Sequence, residues 1–129
     1  VTALANAARG EHSLTLAGIP YRLRPSFTAA QAIEAELGES LTALARRANA
    51  MGLNYTELGI IVAECIRAGA DEDDRLTRKV SAERIAELIY EEGAAPVFGV
   101  LTVLLADAVL GGRTLSGEAK ASAAGTANR

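Results

Sequence analysis

The most constraining stretch of this chain is the 15-residue run Pro96–Leu110, in which Asp107 is the only charged side chain. Val97, Val100, Leu101, Leu104 and Leu105 recur at helical spacing, and Val103, Val109 and Leu110 widen the apolar sector around the helix. A helix this apolar on several sides either sits at the centre of a core or lies in an interface. The run is shorter than the roughly 20 residues that span a bilayer, and Asp107 interrupts it, so no membrane role is expected. The rest of the fold therefore has to supply the surfaces that cover this helix.

Upstream, apolar residues recur at the 3.6-residue period in four further segments, each with a start or stop signal. Ser26 or Thr28 can cap a helix through Leu37 that ends at Gly38, with Ala30, Ile33 and Leu37 on one face. Ser40 can cap a second, carrying Leu41, Leu44, Ala45, Ala48 and Met51 and ending at Gly52. A third follows Asn54-Tyr55-Thr56, with Leu58, Ile61, Val62, Cys65 and Ile66 inward, and ends near Gly69. Asp71–Asp74 reads as a loop, after which Ser81 caps a fourth helix that buries Ile85, Leu88 and Ile89. Before all of these, Leu14, Leu16, Ile19, Tyr21 and Leu23 alternate around Ala17-Gly18, the pattern of a β-hairpin. Two strands alone are marginal in water, so the hairpin must pack on a helix or pair with a partner's strand. The expected class is mainly α (α+β), with an N-terminal β-hairpin packed on a bundle of about five helices. Residues 13–111 form its single domain, with a flexible arm at 1–12 and a disordered tail at 112–129, where large apolar residues almost vanish.

Half of the residues are hydrophobic but only 4% are aromatic and none is Trp, so the core must be built from Ala, Leu, Ile and Val. The net charge of −3 and the scarcity of basic clusters, Arg46-Arg47 and Arg78-Lys79 alone, argue against nucleic acid as a partner. Catalytic constellations fail in turn. The single cysteine, Cys65, lies in an apolar helical run and the single histidine, His12, lies far from it in sequence, so neither a disulfide nor a Cys-His or Ser-His-Asp arrangement is suggested. Asp71-Glu72-Asp73-Asp74 resembles the start of a Ca²⁺ loop, but Arg75 and Leu76 stand where a ligand and a Gly are needed, and Ala82 where a bidentate Glu is needed. Glu34, Glu36, Glu57 and Glu64 have the spacing of ordinary helix-surface carboxylates, and no Gly-rich phosphate loop is present. The expectation is no catalytic residue, no cofactor and no metal. With one free thiol and no signal-peptide pattern, a cytoplasmic protein is expected.

Arg9-Gly10-Glu11, Leu14-Thr15-Leu16-Ala17-Gly18 and Tyr21-Arg22-Leu23-Arg24-Pro25-Ser26-Phe27 precede Ala32-Ile33-Glu34, Leu37-Gly38, Ser40-Leu41 and Leu44-Ala45-Arg46-Arg47. In order and spacing this series resembles the small tail-module proteins of gene transfer agents and siphophages, described as tail assembly chaperones and also as gene transfer agent tail tube proteins. The resemblance covers residues 9 to 50, and residues 51 to 110 match it as a helical outline. It implies a protein, not an enzyme, that holds the tape measure protein and assists assembly of the tail tube protein. The alternative is a structural tail component that self-assembles as a homo-oligomer, and a small enzyme or regulatory helical domain is the weaker third class. Binding an amphipathic helical client needs an exposed apolar surface and no chemistry. The candidate residues for it are Tyr21 and Leu23 on the hairpin and Val97, Val100, Leu101 and Leu104 on the last helix, although core packing is the commoner meaning of such an apolar pattern at each of them.

Overall fold

A computed structural model of the chain describes residues 5–6, 10–111 and 114–118. Two antiparallel strands, β1 (His12–Leu16) and β2 (Ile19–Leu23), precede six helices: α1 (Phe27–Leu37), α2 (Leu41–Asn49), α3 (Tyr55–Gly69), α4 (Arg75–Arg78), α5 (Ala82–Glu92) and α6 (Ala95–Leu110). The α+β class is therefore as expected. The helix not foreseen is α4, a single turn that forms because the Asp74 side chain accepts from the Thr77 amide at its start. The acidic loop thus ends in a helix cap, and Asp71 pairs with Arg22 at 3.1 Å.

Each longer helix begins where its sequence signal lies. Ser26, Ser40 and Ser81 accept from the amides of Ala29, Ala43 and Arg84, and Asn54 and Glu57 form a reciprocal capping box at the start of α3. The end of α2 differs from expectation. Met51, not Gly52, adopts the left-handed conformation (φ 56°), and Gly52 N–H reaches back to the Arg47 carbonyl at 2.7 Å while Met51 N–H reaches Ala48. That pair of bonds is the Schellman arrangement, and it puts the strained position one residue earlier than the glycine.

In the hairpin, Leu14 pairs with Tyr21 and Leu16 with Ile19 across a two-residue turn whose Ala17 and Gly18 both have positive φ. Leu14, Leu16 and Leu23 point into the core and Ile19, at the turn, is exposed. Helix α3 is the hub: Leu58, Ile61, Val62, Cys65 and Ile66 are buried against α5, α1 and β2, while α6 packs mainly on α2. Each fully buried Leu or Ile contributes about 1.5–3 kcal/mol relative to exposure, so this shared core outweighs the weak hairpin many times over. At the α3–α5 crossing Gly59 comes so close that a Cβ there would lie 2.6 Å from the Ala82 carbonyl oxygen and 2.8 Å from Ala86 Cβ. Among the described residues no helix is long and apolar enough to cross a membrane.

Both ends of the domain differ from the composition-based boundaries. Glu11 and His12, assigned to a flexible arm, are structured: the Glu11 carboxylate is buried and pairs with Arg24 at 2.6 Å, and His12 opens β1. Residues 114–118, assigned to the tail, form a turn in which the Leu115 carbonyl accepts from the Phe27 amide at 2.8 Å and Gly117 lies against Arg24 and Pro25. One backbone bond at the open start of α1 supplies what composition could not register. Residues 1–4, 7–9, 112–113 and 119–129 of those two segments lie outside the described residues.

Candidate partner-binding surface

The six residues expected to meet a partner separate by position. Leu23, Val97, Leu101 and Leu104 are at most 1% exposed and belong to the core, packed among Leu14, Ile33, Leu44 and Ile66. Tyr21 and Val100 are half-buried at its margin. The structure therefore brings α6 and the hairpin together as mutual cover, with core packing accounting for the four buried side chains.

Other large apolar residues are exposed, Leu76 and Val103 among them, and some of these lie near the junction of α1 and α6. Phe27 at the start of α1, Leu110 at the end of α6 and Leu115 in the following turn are 52%, 81% and 75% exposed. Phe27 and Leu115 line a groove of about 180 Å³ with Pro25, Ala30, Leu41 and Ala108, and Leu110 adjoins Gly111 at its margin. The sequence carried a signal for Leu110, since it widens the α6 stripe beyond the face that α2 covers. Phe27 and Leu115 gave none, because one looked like a helix start and the other like tail.

Several polar groups elsewhere are committed to structure, while the buried Nε atoms of Arg22 and Arg24 have no hydrogen-bond partner among the described residues. Arg47 donates to Glu57 at 2.7 and 2.9 Å, to Glu39 at 2.7 Å and to the Gly52 carbonyl, which ties together the ends of α2 and α3. Partial burial works to raise the Glu57 pKa, but the Arg47 hydrogen bonds, the Asn54 amide and the Arg47 charge outweigh it and hold the group below its ordinary value. Glu64 moves the other way: burial raises its pKa and the Glu36 carboxyl within hydrogen-bonding reach adds to that, against the opposing Arg67 charge 3.0 Å away. Glu34 accepts from the Leu41 amide at 2.8 Å and so serves the start of α2. Burial, reinforced by the Glu64 charge, pushes the Cys65 thiol up to about 12, which leaves it protonated and inert at neutral pH. His12 faces Asp107 of α6 at 3.4 Å. A cavity of about 330 Å³ lies beside Arg24, Ser26, Thr28, Glu64 and Arg67, and its two arginines are already paired with Glu11 and Glu64. Among the described residues no group of three or more His, Cys, Asp or Glu side chains is placed to hold a metal ion.

What remains is a surface with apolar and aromatic features on a closed helical core. A family model described as "Phage tail tube protein, GTA-gp10" matches residues 9–111. The chain belongs to this family. No curated protein and no solved structure matches it. The matched span runs from just before β1 to the glycine that follows α6, so the GTA-gp10 family unit is the hairpin together with all six helices. Membership gives the chain a role in the phage or gene transfer agent tail module. Of the α1–α6 groove, Phe27, Leu41 and Ala108 lie within the family span and Leu115 lies beyond it.

Proposed function

We propose that this member of the tail tube GTA-gp10 family acts as a non-catalytic tail assembly chaperone that holds a helical, apolar segment of the tape measure protein and assists tail tube assembly. The observation that carries the reading is the α1–α6 groove: two large apolar side chains on its lining, Phe27 and Leu115, stand exposed beside Ala30, Leu41 and Ala108, and the exposed Leu110 directly precedes its Gly111 in the chain. Exposed apolar side chains grouped in this way cost solvation in the isolated protein and favour a partner that covers them. An amphipathic helix laid into such a groove is held by anchors at i, i+3 and i+4 without any chemical step. The reading calls for no cofactor. Co-purification tests it: a tape measure protein expressed with this chain is retained on it, and absence of retention at matched expression contradicts the reading.

A second reading, a structural tail component that polymerises, is favoured by the family description and by one feature of the hairpin. Pro20 has no N–H, so its pair with Thr15 is a non-hydrogen-bonded one, as is Ser13 with Arg22 two residues along. Ser13 and Thr15 therefore turn their backbone groups to the outer edge of β1, an edge on which a further strand can add. The outer edge of β2 lies against α3, where the Arg24 amide donates to the Cys65 carbonyl at 2.9 Å and Gly69 approaches the Arg22 carbonyl. An edge open on one side alone joins two copies and stops, whereas a tube needs two complementary surfaces. Size-exclusion chromatography with light scattering separates the readings: monomer or dimer at high concentration fits the chaperone, and rings or open-ended polymers fit the tube component.

A further inference from the structure

The α3–α5 face carries a second surface, distinct from the α1–α6 groove. The two helices run antiparallel and cross where Gly59 meets Ala82 and Ala86. One turn outward from that crossing, Tyr55 on α3 and Tyr90 on α5 meet edge to face, with ring centroids 5.3 Å apart and planes at 76°. The close crossing sets this geometry, because Gly59 is four residues from Tyr55 and Ala86 four from Tyr90. Both rings remain exposed, Tyr90 by 70% and Tyr55 by 42%. Beside them Glu83, Glu87 and Glu91 recur at every fourth position of α5, and with Ala86 and the two tyrosines they line a groove of about 400 Å³. Glu87 pairs with Arg84 at 2.9 Å, while Glu83 and Glu91 make no ion pair among the described residues.

We propose that this face docks a basic helical segment of a partner protein. Two held aromatic rings present negative π faces to a guanidinium or ammonium group, and desolvation on docking strengthens that attraction. Glu83 and Glu91 flank the rings with two carboxylates available for charge-assisted bonds, and arginine, planar and bidentate, matches both kinds of acceptor. Ala86, between the tyrosines and the glutamates, leaves room for an apolar side chain from the same segment. An acidic segment meets like charge on Glu83 and Glu91, and Arg84, the cation on the same helix, is engaged by Glu87 and lies within electrostatic reach of Glu91. Glu83 and Glu91 lie eight residues apart on α5, about 12 Å at 1.5 Å per residue, so the occupant is a helix with Arg or Lys two turns apart, at i and i+8, and a small apolar residue between them. This assignment does not rest on the chaperone reading, because it holds for a client and for a structural neighbour alike.

The test uses the full chain and a synthetic amphipathic peptide carrying arginines at i, i+8, with its Arg→Glu counterpart, in isothermal titration calorimetry. The arginine peptide binds and the glutamate peptide does not. Tyr90→Ala and the pair E83Q/E91Q each weaken binding about tenfold, as expected for an aromatic anchor and its charged rim. The charge-matched pair E72Q/D73N, on the loop after α3, changes it by less than about twofold, since exposed charges at a distance are screened. Leu110→Asp, on the other groove, leaves this binding intact. Failure of the arginine peptide to bind overturns the proposal. So does equal weakening by E72Q/D73N, an unchanged affinity in Tyr90→Ala, or loss of binding in Leu110→Asp.

Discussion

One backbone position, Met51, and one carboxylate, Glu64, concentrate the avoidable strain at the scale of single residues. Met51 holds a left-handed φ that costs a side-chain-bearing residue about 1 kcal/mol, and it is largely exposed, so little packing is lost on its removal. Met51→Gly is expected to stabilise the fold by about 0.5–1 kcal/mol, read as a rise of a few degrees in Tm, with no gain if the motif ended at Gly52 instead. The sequence showed that α2 stops here but not which residue bears the conformation, because a glycine next door is the stronger local signal. Glu57 and Glu64 make opposite contributions to the pH profile. Glu57, held below its ordinary value of 4.5, stabilises the fold above that pH and loses its contribution as pH falls through its lowered pKa. Glu64, raised above 4.5, contributes most at low pH, and that contribution is lost as pH rises through its raised pKa. Glu36→Gln removes the neighbouring carboxyl, so it is expected to raise Tm at neutral pH and to leave it unchanged well below pH 4.5, checked by thermal melts at the two pH values. These pairings were invisible in the sequence, since Glu36 and Glu64 are 28 positions apart and meet only when α1 packs on α3.

Among elements, the α3–α5 crossing is the most exacting contact. Alanine at position 59 would gain about 1 kcal/mol of helix propensity but drive its Cβ into a backbone carbonyl and the Ala86 side chain, an overpacking cost of about 1–3 kcal/mol. Gly59→Ala is therefore expected to lower stability and to weaken the Tyr55–Tyr90 contact, measured by denaturant melts and by tyrosine fluorescence. A neutral or stabilising result would contradict the crossing. Helix existence was legible almost throughout, because Ser26, Ser40, Asn54 and Ser81 announce the starts and the apolar spacing defines the inner faces. α4 was not, since one turn is too short for periodicity and its cap, Asp74, hides in an acidic run. The apolar run of α6 correctly marked a central helix, yet the same signal could not divide core from interface. Leu101 and Leu104 are buried, whereas Val103 in mid-helix and Leu110 in the last turn emerge into solvent.

For the whole molecule, the hairpin and six helices close a single core and leave its recognition features at the margins, where helix ends and turns meet. Such margins are the part least readable from sequence, because they depend on which element ends become adjacent: Phe27 and Leu115, 88 positions apart, are neighbours through one backbone hydrogen bond. A protein that binds through this groove should tolerate a charge there without unfolding, since Phe27 and Leu110 are mostly exposed and surface substitutions of this kind usually cost within about 0.5 kcal/mol. The most direct measurement is the soluble yield of a tape measure protein co-expressed with the wild-type chain and with Phe27→Asp/Leu110→Asp. The account predicts that the wild type raises that yield and co-purifies with the client, while the double variant keeps its own helical circular dichroism and Tm but does neither. A yield that the wild type leaves unchanged, or that the double variant raises equally, would contradict it.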